Sequence, residues 1–254
     1  MTGWPGTEVL PTCGLSGQCA ARARGYRTVA RTAGKMLCME TGSAARAAQR
    51  ELVRRGYDAI SLVYRSNDGQ AAGSSAEDVS RYAGWVAELA GLLPAGAEVL
   101  DLGCGAGIPA TRELTDHRMR VIGVDFSAVQ LGRARRLVPA ARLVQADMTG
   151  LHLQPASLDA VVSFYALIHV PLRDQQVLFP RIRRWLRPGG YLLAITGARR
   201  WTGTERYLGA DMFWDHADTA TYLRWLQAAR LAPIWHRYIP EGNSGHSLIL
   251  SRAS

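Results

Sequence analysis

A glycine loop set directly between a strand and a helix constrains this chain more than any other feature. The run AEVLDLGCGAGIPA places Gly103, Gly105 and Gly107 after Asp101 and the apolar stretch Val99–Leu102. Without a Cβ the backbone turns tightly and lets a ligand approach closely. The N–H groups that open the following helix also face that ligand. A dinucleotide fingerprint, G-x-G-x-x-G, has a similar shape, but here Ile108 stands where its third glycine belongs. Asp101, two residues ahead of the loop, would repel a pyrophosphate and attract an ammonium. Cys104 reads as a small side chain within the loop.

Around the loop, apolar strands alternate with amphipathic helices. Strands are expected at Glu98–Leu102, Arg120–Asp125, Ala141–Gln145, Ala160–Phe164 and Tyr191–Thr196. Helices are expected at 107–115, 127–137 and 173–186. Strands rich in Val, Leu and Ile with little polar alternation are buried on both faces, which implies a parallel sheet built from βαβ units. The end departs from this rhythm. A helix at 217–230 precedes strands Ile234–Ile239 and His246–Ser251, joined by a polar turn, which adds one antiparallel strand. The expected fold is therefore α/β and Rossmann-like: a seven-stranded, mostly parallel sheet with one antiparallel strand, helices on both faces and a helical N-terminal cover beginning at Ala44. LRPGG, with Gly189 and Gly190, reads as a helix-stopping turn.

Residues 1–43 carry no sustained period and hold Cys13, Cys19 and Cys38. They are expected to be a disordered tail or an extension ahead of a domain spanning 44–254. The net charge is +9, with seven basic and two acidic residues in 1–50, so five of the nine positive charges sit there. The domain itself is only modestly basic, and nucleic acid is not an expected partner. No uncharged stretch is long enough for a bilayer, and no Cys/His set has zinc spacing, so neither a membrane nor a metal is expected. Four scattered cysteines suit a reduced, cytoplasmic setting.

Each of the next two strands ends on a carboxylate. RVIGVDFS puts Asp125 about twenty residues past the loop, where it can accept both hydroxyls of a ribose. LVQADM ends on Asp147, able to accept from an adenine amino group, with the Met148 N–H able to donate to the ring. An ammonium, a ribose and an adenine in sequence describe S-adenosylmethionine.

The ordered run VLDLGCGAG, VIGVDFS, VQADM, DAVVSFYALIHVP and LRPGGYLLAI resembles class I S-adenosylmethionine-dependent methyltransferases. It is most similar to the small-molecule group that includes ubiquinone- and menaquinone-biosynthesis-like enzymes. The resemblance covers about residues 50–254. It implies that Gly103, Cys104, Gly105 and Gly107 cradle the methionine moiety and that Asp101 faces its amino end. It also implies that Asp125 and Ser127 lie at the ribose, that Phe126 packs on the adenine beside Asp147 and Met148, and that Phe164 and Tyr165 close the pocket. S-adenosylhomocysteine would be the product.

Methyl transfer needs alignment and exclusion of water more than it needs a base. His169, after the fourth strand, is the candidate base. An Asp/Asn-Pro-Pro-aromatic run is absent after that strand, which argues against amino groups of nucleic acid as acceptors. The stretch about 198–216 reads as a substrate cover containing Trp201, Met212, Trp214 and His216, with Tyr57 and Tyr64 on the N-terminal helix and Glu241 and His246 at the last turn. An aromatic, Met-bearing cover suits a flat or apolar small molecule. The expected activity is methylation of O, N or C on a small organic acceptor, with bacterial secondary metabolism as the setting. Its rivals are a non-methylating S-adenosylmethionine-binding protein and an RNA or protein methyltransferase.

Overall fold

The computed structural model describes residues 23–68, 76–241 and 244–254, so the first 22 residues and most of the NDGQAAGSS loop lie outside the described residues. The chain divides into two compact units, Met1–Ala45 and Arg46–Ser254. In the first, the described part is helical backbone: helix α1 spans Ala23–Tyr64 and begins well ahead of the expected Ala44. All that follows concerns the second unit.

Seven strands form one sheet. They are β1 (Glu98–Leu102), β2 (Arg120–Asp125), β3 (Arg142–Gln145), β4 (Leu158–Ser163), β5 (Leu186–Gly197), β8 (Leu231–Glu241) and β9 (Ser244–Ala253). Their order is β3-β2-β1-β4-β5-β9-β8. All neighbouring pairs from β3 to β5 are parallel, and β9 runs antiparallel to both β5 and β8. The single antiparallel strand and the alternating βα order are as the sequence implies. The chain winds outward from β1 to β3 and then returns to place β4 on the other side of β1. The β1/β4 junction is thus the point where strand order reverses, and open α/β sheets bind ligands outside the carboxyl ends of such strands.

Both faces of the sheet are covered. One apolar cluster joins Leu100, Val161 and Leu192 to α5 (Leu172–Trp185) and α6 (Thr219–Ala228) through Phe179, Ile182 and Tyr222. The other joins Val99, Val162 and Leu193 to α2 (Ala76–Ala90) and α3 (Ala110–Asp116) through Val86, Leu89 and Leu114. Alternate residues of each strand therefore serve opposite cores, which is why these strands read as continuous apolar runs. The expected LRPGG turn lies inside β5, where Gly189 has φ +79° and the register against β4 shifts.

Between β5 and α6 the expected cover is a separate two-stranded hairpin, β6 (Trp201–Tyr207) and β7 (Ala210–His216). Leu208 and Gly209 both have positive φ, the conformation of the tight hairpin turn whose twist suits the flanking strands. β7 lies against α1 at Gly56, where a Cβ would fall 2.5 Å from Met212 Sδ. The C-terminal end of α1 is held by the buried Arg133 of α4 (Ala128–Leu137), whose Nη1 donates to the Ser61 carbonyl at 2.5 Å and Nη2 to the Arg65 carbonyl at 2.6 Å. A cation at the carboxyl end of a helix meets carbonyls that lack a partner within the helix. Among the described residues no helix is long and apolar enough to cross a membrane.

Candidate active site

The glycine loop folds back over β2: the N–H groups of Gly103 and Cys104 both donate to the Val124 carbonyl, at 2.8 and 3.0 Å. Gly103 has φ +78°, and a Cβ there would overlap Ala166 in the loop after β4. No other residue type fits that position. Gly105 donates through its N–H to Asp125 Oδ2 at 2.9 Å, and a Cβ on it would meet open space. Gly107 does different work from the role implied for it. Its missing Cβ makes room for Ala134 of the neighbouring helix and for Val138 just past that helix's end, and it lines neither cavity.

The two acidic strand residues are buried and electrostatically strained. Asp101 is 2% exposed and accepts from Thr111 Oγ1 at 2.6 Å. Burial pushes its carboxyl up to about 7, the Thr111 bond opposes the rise and the nearby Asp125 adds to it. Asp125 also accepts from the Ser127 N–H at 2.8 Å. Burial pushes it up to about 6 against the bonds from Ser127 and Gly105. An ionised carboxylate kept in such surroundings favours a cationic or strongly donating ligand. Ser127 itself caps α4 by accepting from the Gln130 N–H at 3.0 Å and donates to Asp58 of α1, so its hydroxyl is a structural group. Asp147 accepts from the Thr149 N–H and hydroxyl, each at 2.8 Å, and pairs with Arg50 at 2.8 Å.

These groups surround two adjoining cavities. The larger encloses about 720 Å³. It is lined by Asp125, Phe126, Asp147 and Met148 after β2 and β3, by Arg50, Tyr57 and Tyr64 of α1, and by Phe164, Tyr165 and His169 after β4. The smaller, about 420 Å³, lies around Asp101, Gly103–Ala106, Arg65 and Tyr82, and shares Tyr64, Gly103, Gly105, Gln130 and Phe164 with the first. Arg65 donates to the Tyr82 hydroxyl at 2.8 Å and sits 5.1 Å from the centre of that ring. A buried carboxylate and a guanidinium in one small cavity complement the ammonium and carboxylate of an amino acid. The glycine backbone and Asp125 then open into the larger cavity. This donor set fits the two ends of S-adenosylmethionine.

His169 is buried and held from both sides. Its Nδ1 lies 2.6 Å from the Phe213 carbonyl, and its Nε2 lies 2.9 Å from the Tyr57 hydroxyl. A carbonyl only accepts, so Nδ1 carries the hydrogen and Nε2 accepts from Tyr57. Burial, with smaller contributions from His246 and His216, lowers the imidazole to about 4 despite the Phe213 bond. It is therefore neutral at physiological pH, and its lone pair is already engaged.

Of the residues expected at the acceptor, Tyr57 and Tyr64 line the larger cavity. Trp214 stands behind His169, with ring centres 5.3 Å apart. Three others lie elsewhere. Met212 is fully buried against α1. His216 is buried with Nδ1 2.7 Å from the Arg199 carbonyl, and Trp201 is 45% exposed. None of the three lines either cavity. A β-hairpin alternates its side chains, so half of an aromatic-rich stretch must point away from any one site. Beyond His169 a second polar group gathers at the sheet edge: Tyr165, with φ +59°, donates to Glu241, whose other oxygen lies 3.2 Å from His246 Nδ1. Sequence reasoning missed Arg50, Arg65, Tyr82 and Gln130. The first two had a signal, because Arg50, Tyr57, Ser61, Tyr64 and Arg65 recur at helical spacing along one face of α1.

Comparison with known proteins agrees with this geometry. Residues 99–190 match the family described as Methyltransferase domain. The 27-O-demethylrifamycin SV methyltransferase of Amycolatopsis mediterranei is 39% identical over 112 residues, covering 41% of this chain and 40% of that protein. The trans-aconitate 2-methyltransferase of Variovorax paradoxus is 36% identical over 121 residues, covering 46% of this chain and 45% of the relative. The match thus spans less than half the length of either relative. Among solved structures, the Burkholderia thailandensis 1,6-didemethyltoxoflavin-N1-methyltransferase, with 1,6-didemethyltoxoflavin and S-adenosylhomocysteine bound, superposes with a TM-score of 0.60 at 20% identity, covering 85% of this chain and 90% of that one. Residues 99–190 thus carry a methyltransferase domain, set in the fold shared by S-adenosylmethionine-dependent methyltransferases of known structure.

Proposed function

We propose that this protein transfers a methyl group from S-adenosylmethionine to a small, flat organic acceptor. The observation that carries the reading is the continuous cleft itself. Its smaller cavity holds both Asp101 and Arg65 in its lining, and the adjoining larger one presents Asp125, Phe126, Asp147 and Met148. Asp101 and Arg65 hold the amino-acid end, Asp125 accepts from the ribose hydroxyls, and Asp147 with the Met148 backbone reads the adenine. The cofactor supplies a methyl group on a sulfonium, a good leaving group, so the protein's task is to align the nucleophile and keep water out. Tyr57 and Tyr64 on α1, with His169 and Tyr165 after β4, wall the remaining volume. Flat aromatic walls suit a planar acceptor.

The named relatives act on different acceptors, and two of them, the rifamycin and toxoflavin enzymes, modify natural products. They support an acceptor of secondary-metabolite type. The modest charge of the domain favours a small molecule over nucleic acid. Titration calorimetry with S-adenosylhomocysteine is expected to show one site and a raised melting temperature. A labelled methyl group should then pass to a compound in an extract of the native host. Failure to bind S-adenosylhomocysteine, with stabilisation by a nicotinamide dinucleotide instead, refutes the reading.

A further inference from the structure

We propose that Tyr57 and His169 form an acceptor-hydroxyl subsite: the acceptor is an uncharged planar aromatic hydroxyl compound, and its proton leaves through Tyr57 to His169 as its oxygen is methylated. This rests on the methyl-transfer reading above and adds the acceptor's chemical class and the route of its proton.

The class follows from the charges in the larger cavity. Arg50 is the one Lys or Arg among the described residues lining it, and its guanidinium is committed to Asp147 at 2.8 Å and Asp174 at 2.9 Å. Asp125 and Asp147 line the same space. With Arg50 already paired, a carboxylate on the acceptor would lose its hydration with only the cofactor's sulfonium to offset it, which is costly. The aromatic part follows from a closed chain of ring contacts. Tyr57 meets Tyr64 at 5.0 Å, Tyr64 meets Tyr207 at 6.3 Å, and Tyr207 meets Trp214 at 5.9 Å. Trp214 meets His169 and His169 meets Tyr57, both at 5.3 Å. Five rings from α1, the loop after β4 and the β6–β7 hairpin brace one another, four of the contacts edge to face and the His169–Trp214 contact tilted. Three of them present their surfaces to the cavity.

The hydroxyl follows from counting hydrogens. The Nδ1 hydrogen of His169 is spent on the Phe213 carbonyl, so Nε2 must accept the Tyr57 hydrogen. The Tyr57 oxygen then has only lone pairs to offer, one facing the neighbouring Tyr64 hydroxyl and the other able to accept from a donor such as an acceptor O–H. As the acceptor oxygen bonds the methyl carbon, the carbon–sulfur pair stays on sulfur and the acceptor O–H proton passes to the Tyr57 oxygen. The Tyr57 proton moves on to Nε2. One positive charge disappears from the sulfonium as one appears on the imidazole, so the buried site keeps its net charge. That balance lets a histidine that resists protonation in the resting site accept a proton during transfer.

The test uses the S-adenosylhomocysteine-loaded protein and three probes that share a ring system: 2-naphthol, 2-methoxynaphthalene and 2-naphthoate. Calorimetry is expected to show 2-naphthol at least tenfold tighter than either of the others, and Tyr57→Phe is expected to bring it level with the methyl ether. In histidine-selective nitrogen NMR at pH 7, His169 should be the neutral Nδ1–H form, and its Nε2 resonance should move in Y57F. With labelled S-adenosylmethionine, 2-naphthol should become 2-methoxynaphthalene, and Y57F and His169→Gln should each slow this about 10²-fold or more. Equal binding of naphthol and its ether, preference for naphthoate, or no binding of any probe overturns the subsite. A wild-type protein that leaves 2-naphthol unmethylated, or variants within threefold of its rate, overturns the proton route. If S-adenosylhomocysteine itself fails to bind, the methyl-transfer reading has failed instead.

Discussion

Asp101→Asn is expected to make the ligand-free protein more stable and the cofactor weaker. Asp101 is 2% exposed, and burial raises its carboxyl from 3.8 to about 7. A carboxyl whose folded-state value lies above its unfolded value favours the folded state when protonated. Its cost therefore grows as pH rises from about 4 towards 7 and is constant above that. Three pKa units at about 1.4 kcal/mol each give a penalty of about 4 kcal/mol at pH 8, an upper bound, and less than half of that at pH 5. Asparagine keeps the shape and can still accept from Thr111, but carries no charge to desolvate. For a domain of this size the gain corresponds to a rise in melting temperature of roughly 8–15 °C at most at pH 8. The cofactor should show the opposite sign. Its ammonium needs the ionised carboxylate, so wild-type affinity for S-adenosylhomocysteine should rise about tenfold from pH 6 to pH 8. D101N should bind at least tenfold more weakly at pH 8 and lose that slope. Melting curves at pH 5 and pH 8 and calorimetry across the range test both halves. A variant that melts below the wild type at pH 8, or that binds with the same pH slope, refutes the reasoning.

Asp125→Ala should weaken S-adenosylhomocysteine binding about tenfold or more, since hydrogen bonds to a charged group are worth about 1.5–3 kcal/mol; unchanged calorimetric affinity would remove Asp125 from the ribose site. Arg133→Met removes the guanidinium bonds to the Ser61 and Arg65 carbonyls at the end of α1 and should cost about 1–3 kcal/mol, read as a lower denaturation midpoint. Gly56→Ala places a methyl group against Met212 and the Asp211 carbonyl and should destabilise by about 1–3 kcal/mol. Met212→Ala in the same chain should return part of that loss, and a double variant no better than the sum of the singles would show that the two residues do not press on each other.

The sequence was most informative where function and fold share the same few residues. Asp101, Gly103, Gly105, Asp125 and Asp147 each sit at or just beyond the carboxyl end of a parallel strand, so locating the strand locates the residue. The run of strands also carried the sheet order, because parallel strands joined by helices have few allowed windings. Roles that depend on contacts distant in sequence were not legible. Gly107 looks like its neighbours in the loop, but its job is to admit Val138, about thirty residues on. Ser127 stands next to a cofactor carboxylate, but its hydroxyl is consumed by the helix it caps and by Asp58. The 198–216 stretch reads as aromatic and therefore as substrate cover. Only its hairpin register decides that Trp214 backs the cleft while Trp201 stands half exposed.

The same contrast explains why the two halves of the cleft differ as chemical sites. Asp101, the glycine loop and Asp125 lie in one continuous βαβ stretch, with Gly105 bonded to Asp125, while Arg50, Tyr64 and Arg65 reach the same cleft from the chain ahead of β1. The acceptor half has no such frame. His169 takes its tautomer from Phe213 on β7 and its lone-pair partner from Tyr57 on α1, so neither its charge nor its availability is a property of the loop that carries it. A histidine after the fourth strand looks like a base by position alone. Enclosed by these two partners it is neutral, buried and already bonded, and the atom left for an acceptor to meet is the Tyr57 oxygen. Changes in the hairpin thus act on the Tyr57–His169 pair, whereas the positions of Asp101, Asp125 and the glycine loop are set by β1 and β2. That separation gives a physical basis for relatives that are 36–39% identical to part of this chain while their names point to acceptors as unlike as a rifamycin and trans-aconitate.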